Sequence, residues 1–191
     1  MAKAESDAAK QERRRTTKWV VTIFFVTIVV SGTISLVSEE VMASSSLVVA
    51  FLILLGIILL GIVFDVIGMA VATASEKPFH SMAARKVPGA QEAIRLLRNA
   101  ERVSSICNDV VGDICGVVSG SASATIAALV VANVPMGWPQ VVPLLMSALA
   151  AGLTVGGKAI GKTFAVNSCT KIVHMVGWLI HSLNRLFARK K

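Results

Sequence analysis

The run LVVAFLILLGIILLGIVFDVIGMAVATA, residues 47–74, decides the fold. From Leu47 to Phe64 it carries no charge, and Asp65 is the first ionisable group it meets. A helix needs roughly 20 apolar residues to cross the hydrocarbon core of a bilayer. This run exceeds that length, so it reads as a membrane span. Three more stretches qualify: residues 19–37, 103–131 and 141–157. A fifth, residues 165–186, is apolar at helical spacing but interrupted by Lys171, His174, His181 and Arg185. That pattern predicts an amphipathic helix lying in the membrane interface.

The rest of the composition agrees. Of 191 residues, 54% are apolar and only 16% charged, with a mean hydropathy of +0.72. A soluble domain carries roughly 25% charged residues. Three cysteines make no disulfide framework, and Cys107 and Cys115 sit in one apolar segment as small buried hydrophobes. Arg13, Arg14, Arg15 and Lys18 precede the first span, as in a signal peptide. Its apolar run is longer than the ~7–15 residues of such a leader, and no small-residue cleavage site follows. It is read as a retained span.

The 19 Lys and Arg fall into three groups: six up to Lys18, six from Lys77 to Arg102, and seven from Lys158 to Lys191. The loops at 38–46 and 133–140 have none. Lys and Arg in short loops stay on the cytoplasmic side. Both termini and the central segment are therefore expected in the cytoplasm, in a multi-pass protein of the plasma (inner) membrane. The +8 balance is an attraction for anionic head groups, not a nucleic-acid footprint.

The expected fold is an all-α integral membrane protein. It has four transmembrane helices, a cytoplasmic helical hairpin and a C-terminal amphipathic juxtamembrane helix. Residues 1–18 are expected as a disordered basic tail, 19–45 as an additional span with an outer loop, and 46–191 as the main transmembrane domain. Pro88 and Gly89 punctuate the hairpin, and Ala90, Ala93, Leu96 and Leu97 recur beyond them at helical spacing. In the second outer loop, Pro135, Gly137 and Trp138 mark a turn, with Trp138 at head-group level. Gly112, Gly116 and Gly120, and Ala148, Gly152 and Gly156, form small-residue ridges for close helix packing.

Ionisable groups at membrane depth are costly and mark functional sites. Here they are Asp65, Asp109, Asp113 and Lys158, all in the cytoplasmic half. In one reading the carboxylates, with Thr73, Ser75, Ser104, Ser105 and Asn108, line a hydrated site for a hard cation such as Mg²⁺. In the other, Lys158 pairs with one Asp and no ion is needed. Catalysis is not expected. His80, His174 and His181 are scattered, and Ser119, Ser121 and Ser123 have no histidine partner. The Gly156 to Thr163 pattern of a phosphate loop follows a membrane helix instead of the strand it needs.

Several of these residues carry a resemblance. Ala72-Thr73-Ala74-Ser75-Glu76 resembles the Ser-x-Ser-Glu motif closing the first helix of the CorC/CNNM transmembrane domain. The basic turn Ala84-Arg85-Lys86-Val87-Pro88-Gly89 and the Leu96-Leu97 to Glu101-Arg102 run are similar to its cytoplasmic segment. Gly157-Lys158-Ala159-Ile160-Gly161-Lys162 resembles its Gly-Glu-x-x-Pro-Lys signature. The likeness covers residues 50–188 in order. It implies a three-span homodimeric domain tied to Mg²⁺ transport or efflux, with the ion held by the counterparts Thr73, Ser75, Asn108 or Asp109, and Asp113. The chain departs where Lys158 replaces the family's acid and Gly161 its proline. It contains no CBS pair, and an additional span precedes the matched region. A fixed ammonium repels a divalent ion. The second expectation is therefore a non-transporting membrane scaffold, or an accessory subunit with membrane partner proteins.

Overall fold

The computed structural model describes residues 2–133 and 138–188, and the described residues are all helix, turn or loop. Helix α1 spans Ala2–Ala43, α2 Leu47–Thr73, α3 Lys77–Ala84, α4 Ala90–Arg98 and α5 Ala100–Ser105. A π-helical turn, Ile106–Val111, leads into α6, Gly112–Asn133, and α7 runs Val141–Ala188. Four of the described helical stretches are long and apolar enough to cross a membrane: Thr17–Met42, Leu47–Thr73, Ala100–Asn133 and Val141–Phe187. Large apolar side chains such as Val29, Leu52 and Val155 are exposed on them. Water would not tolerate such a surface, whereas lipid tails match it. The protein is a helical bundle with four described helices long and apolar enough to span a membrane.

Two cores hold the bundle. Near the short 44–46 loop, Met42, Leu54, Ile58, Ile126 and Ala150 meet between α1, α2, α6 and α7. At the other end, Val71, Phe79, Leu97, Ala165 and Val173 join α2 and α7 to the hairpin α3–α4. These are called the loop end and the hairpin end below.

The hairpin forms as expected, and its turn has a precise cap. Lys86 N–H donates to Ala83 O, and Val87 N–H to Met82 O. That is the Schellman pattern, with Lys86 in the left-handed position at φ 56°. Gly89 is also left-handed, at φ 85°. A Cβ there would lie 2.5 Å from Trp178 N and 2.6 Å from Trp178 Cα. On α7, Gly177 completes the contact, so α4 and α7 touch backbone to backbone.

Several boundaries differ from expectation. Helix α1 starts at Ala2 instead of Trp19, because Ala, Lys, Glu, Gln and Arg before residue 18 are strong helix formers. The third span begins at Ala100, before Val103. The fourth span runs on past Gly157, and a kink at Ser168 (φ −121°, ψ 18°) parts it from the juxtamembrane helix. No Pro or turn chemistry lies between Gly157 and Ala165 to end it earlier. Past Ser168, one face of α7 packs on α4 instead of lying wholly free in the interface. The ridge glycines Gly116, Gly120, Gly152 and Gly156 face open space. Close packing falls instead to Gly61, Gly68, Gly112, Gly157 and Gly161. Pro135, Gly137 and the Arg189–Lys191 cluster lie outside the described residues.

Candidate functional site: a buried carboxylate between two lysines

Glycines bring three helices together around Asp65. A Cβ on Gly61 would lie 2.8 Å from Cys115 Cβ, and one on Gly68 would overlap Asn108 Oδ1. These two positions let α2 approach the third span. On α7, Cβ atoms at Gly157 and Gly161 would strike Ile62 and Val66 of α2. Each of these glycines is followed by a lysine. The helix face that docks on α2 thus delivers Lys158 and Lys162 to the same carboxylate.

The result is an ion cluster. Lys158 Nζ lies 3.7 Å from Asp65 Oδ1, and Lys162 Nζ 3.7 Å from Asp65 Oδ2. Asp65 is 3% exposed, Lys158 is largely covered and Lys162 is half open. Lys158 also donates to Gly112 O at 3.4 Å. The π-helical turn ends at this residue, where Gly112 N–H bonds Cys107 O. A Cβ on Gly112 would press within 3.1 Å of the ammonium. Asp65 is 18 residues from Leu47, which is about 27 Å at the helical rise. A helix entering ~30 Å of hydrocarbon at Leu47 would place the cluster near the far edge, within reach of head groups for lysine stems.

The other expected site residues do not join Asp65. Thr73 donates its hydroxyl to Met69 O at 2.8 Å, within its own helix. Ser75 is exposed beyond the end of α2 and accepts from Lys77 N–H at 3.4 Å. Ser105 donates to Asp109 Oδ2 at 2.8 Å, and Asp109 is exposed. Asp113 is exposed too. Asn108 donates to Ser104 Oγ at 3.3 Å, while its Oδ1 is buried without a hydrogen-bond partner. Among the described residues, no group of three or more His, Cys, Asp or Glu is placed to hold a metal ion. Two ammonium groups stand at the buried Asp65 carboxylate.

Lys162 is the residue sequence reasoning missed. The signal was present: Gly-Lys repeats four residues apart, so both lysines share one helix face. His174 Nε2 is buried without a hydrogen-bond partner, whereas several other polar groups are accounted for locally. Ser119, Ser121 and Ser123 donate to carbonyls of their own helix. The phosphate-loop pattern, Gly156 to Thr163, lies wholly inside α7. His80 pairs with Glu76 at 3.2 Å, and His181 Nδ1 lies 3.0 Å from Glu92 Oε1, tying α7 to α4. Burial draws the Glu92 carboxyl upward, but the His181 hydrogen bond and the charges of His181 and Arg95 outweigh it, leaving Glu92 below its ordinary value. Trp19 stacks under the Arg102 guanidinium at 5.7 Å, fastening α1 to α5. No protein family, no curated protein and no solved structure matches the chain.

Proposed function

We propose that the chain is a non-transporting membrane scaffold, an accessory subunit that assembles in the bilayer with a second copy or with other membrane proteins. One observation carries this reading: Lys158 and Lys162 flank both oxygens of Asp65, the most buried carboxylate among the described residues. A cation site needs surplus negative charge, and here the local balance is positive. The likeness to the CorC/CNNM transmembrane domain fits a relative whose acidic position has become Lys158. The open faces at Gly152 and Gly156 support close approach by another helix. The clustering of Lys and Arg at the hairpin end supports cytoplasmic termini in a plasma (inner) membrane.

The test is Mg²⁺ flux into liposomes holding the full chain, together with purification from native membranes. The scaffold reading expects flux equal to protein-free vesicles and a partner that stays bound in mild detergent. An isolated homodimer that moves Mg²⁺ would sink it. A second reading, transport of Mg²⁺ or a similar hard cation, is favoured by the buried, unpartnered Asn108 Oδ1 on the π-helical turn. Flux that disappears in Asp113→Ala would establish it.

A further inference from the structure

We infer that two adjoining clefts, between the α3–α4 turn and the end of α7, hold the head group of an anionic phospholipid. One cleft, of about 230 Å³, is bordered by Lys86, Pro88, Glu92 and His181. The other, of about 490 Å³, is bordered by Pro88, Trp178, His181, Ser182 and Arg185. Pro88 and His181 belong to both. One cleft thus presents the Lys86 ammonium and the other the Arg185 guanidinium, while the Ser182 hydroxyl already donates to Trp178 O at 2.9 Å. These two cations suit phosphate oxygens, with the guanidinium giving the strongest directional bonds. Glu92 is the anion among these residues, and its Oε1 is engaged by His181 Nδ1 at 3.0 Å. That contact ties His181 to Glu92 through Nδ1 and leaves Nε2 on the opposite side of the ring.

The surroundings select a lipid over free phosphate. Trp178 and Leu186 are 52% and 65% exposed beside the polar groups. Met175, Leu179, Leu183 and Phe187 continue the same exposed apolar face along α7. The opposite face, with Val173 and Gly177, is buried against the hairpin. Across the Ser168 kink, exposed Ile160, Phe164 and Val166 of the apolar part of α7 precede the exposed face, so a leaflet around that part would extend along it. An amphipathic face of this kind lies at the boundary of head groups and acyl chains. The basic groups then meet phosphate level while Trp178 and Leu186 meet acyl carbon. The site is independent of whether ions cross the bundle.

The experiment is native mass spectrometry of the full chain in neutral detergent, with phosphatidylglycerol or phosphatidylcholine added. The wild type is expected to retain phosphatidylglycerol in preference. Arg185→Gln and Lys86→Gln should each weaken that retention about fivefold, the value of one basic residue against an anionic surface. Lys171→Gln, on α7 outside both clefts, should leave it within about twofold. Unfolding temperatures of the three variants control for misfolding, since all three side chains are exposed. Equal retention of both lipids would overturn the proposal. So would equal losses in all three variants, which would mean diffuse surface attraction. Displacement of the lipid by inorganic phosphate alone would show a phosphate site and overturn the lipid assignment.

Discussion

At the loop end, Met42, Leu54, Ile58 and Ile126 meet with no ionisable group among them. At the hairpin end, the same α2 and α7 carry Asp65, Lys158 and Lys162, and α7 touches the hairpin backbone to backbone. The difference is one of alternatives. Lipid tails compete on nearly equal terms for an apolar side chain, so the loop end is held by fit alone. No lipid tail replaces a counter-charge or relieves a backbone overlap. Substitutions at the hairpin end should therefore cost more than substitutions of similar size at the loop end.

The largest expected effect tests that claim at its centre. Asp65→Ala leaves two ammonium groups with no carboxylate between them and should destabilise the bundle by about 3–5 kcal/mol. Thermal unfolding in detergent measures it. The triple variant Asp65→Leu, Lys158→Met, Lys162→Met removes all three charges and should be markedly more stable than Asp65→Ala. A neutral Asp65→Ala would erase the contrast between the two ends. Next comes Gly89→Ala. A left-handed alanine costs ~1–2 kcal/mol, and displacement of the α7 backbone adds ~1–3 kcal/mol. A total of about 3 kcal/mol should appear as faster hydrogen exchange across α3 and α4.

Smaller effects sharpen the comparison. Ile126→Val in the loop-end core should cost about 1 kcal/mol, as one lost methylene. Lys86→Gly should stabilise by roughly 0.5 kcal/mol, because glycine takes the left-handed cap without strain. The last effect is on pH. The folded pKa of Glu92 lies below its unfolded value of 4.5. Its contribution is therefore complete above that pH and is lost as pH falls through the folded pKa. Glu92→Gln should remove this acid-side step from a stability–pH profile.

The four candidate spans were legible because their signal is length and polarity, and residues 47–64 carry no charge. The hairpin was legible from Pro88-Gly89 and the helical spacing beyond. What the sequence concealed was contact. Nothing local distinguishes Gly116, which faces open space, from Gly112, which lies under Lys158. The choice depends on how α6 is rotated against its neighbours. Asp65, Asp109 and Asp113 read alike at similar depth, yet only Asp65 lies on the face that α7 covers. The Ser168 break and the π-helical turn have no proline to announce them.

The central claim is that lysines, and not a bound cation, neutralise the buried carboxylate. The most direct measurement is the unfolding temperature of the full chain in detergent as Mg²⁺ is titrated against a chelator. A ligand bound only by the native state raises that temperature with its concentration. With Lys158 and Lys162 at the Asp65 carboxylate, a flat response is expected in the wild type. A rise with Mg²⁺ that vanishes in Asp113→Ala would contradict it.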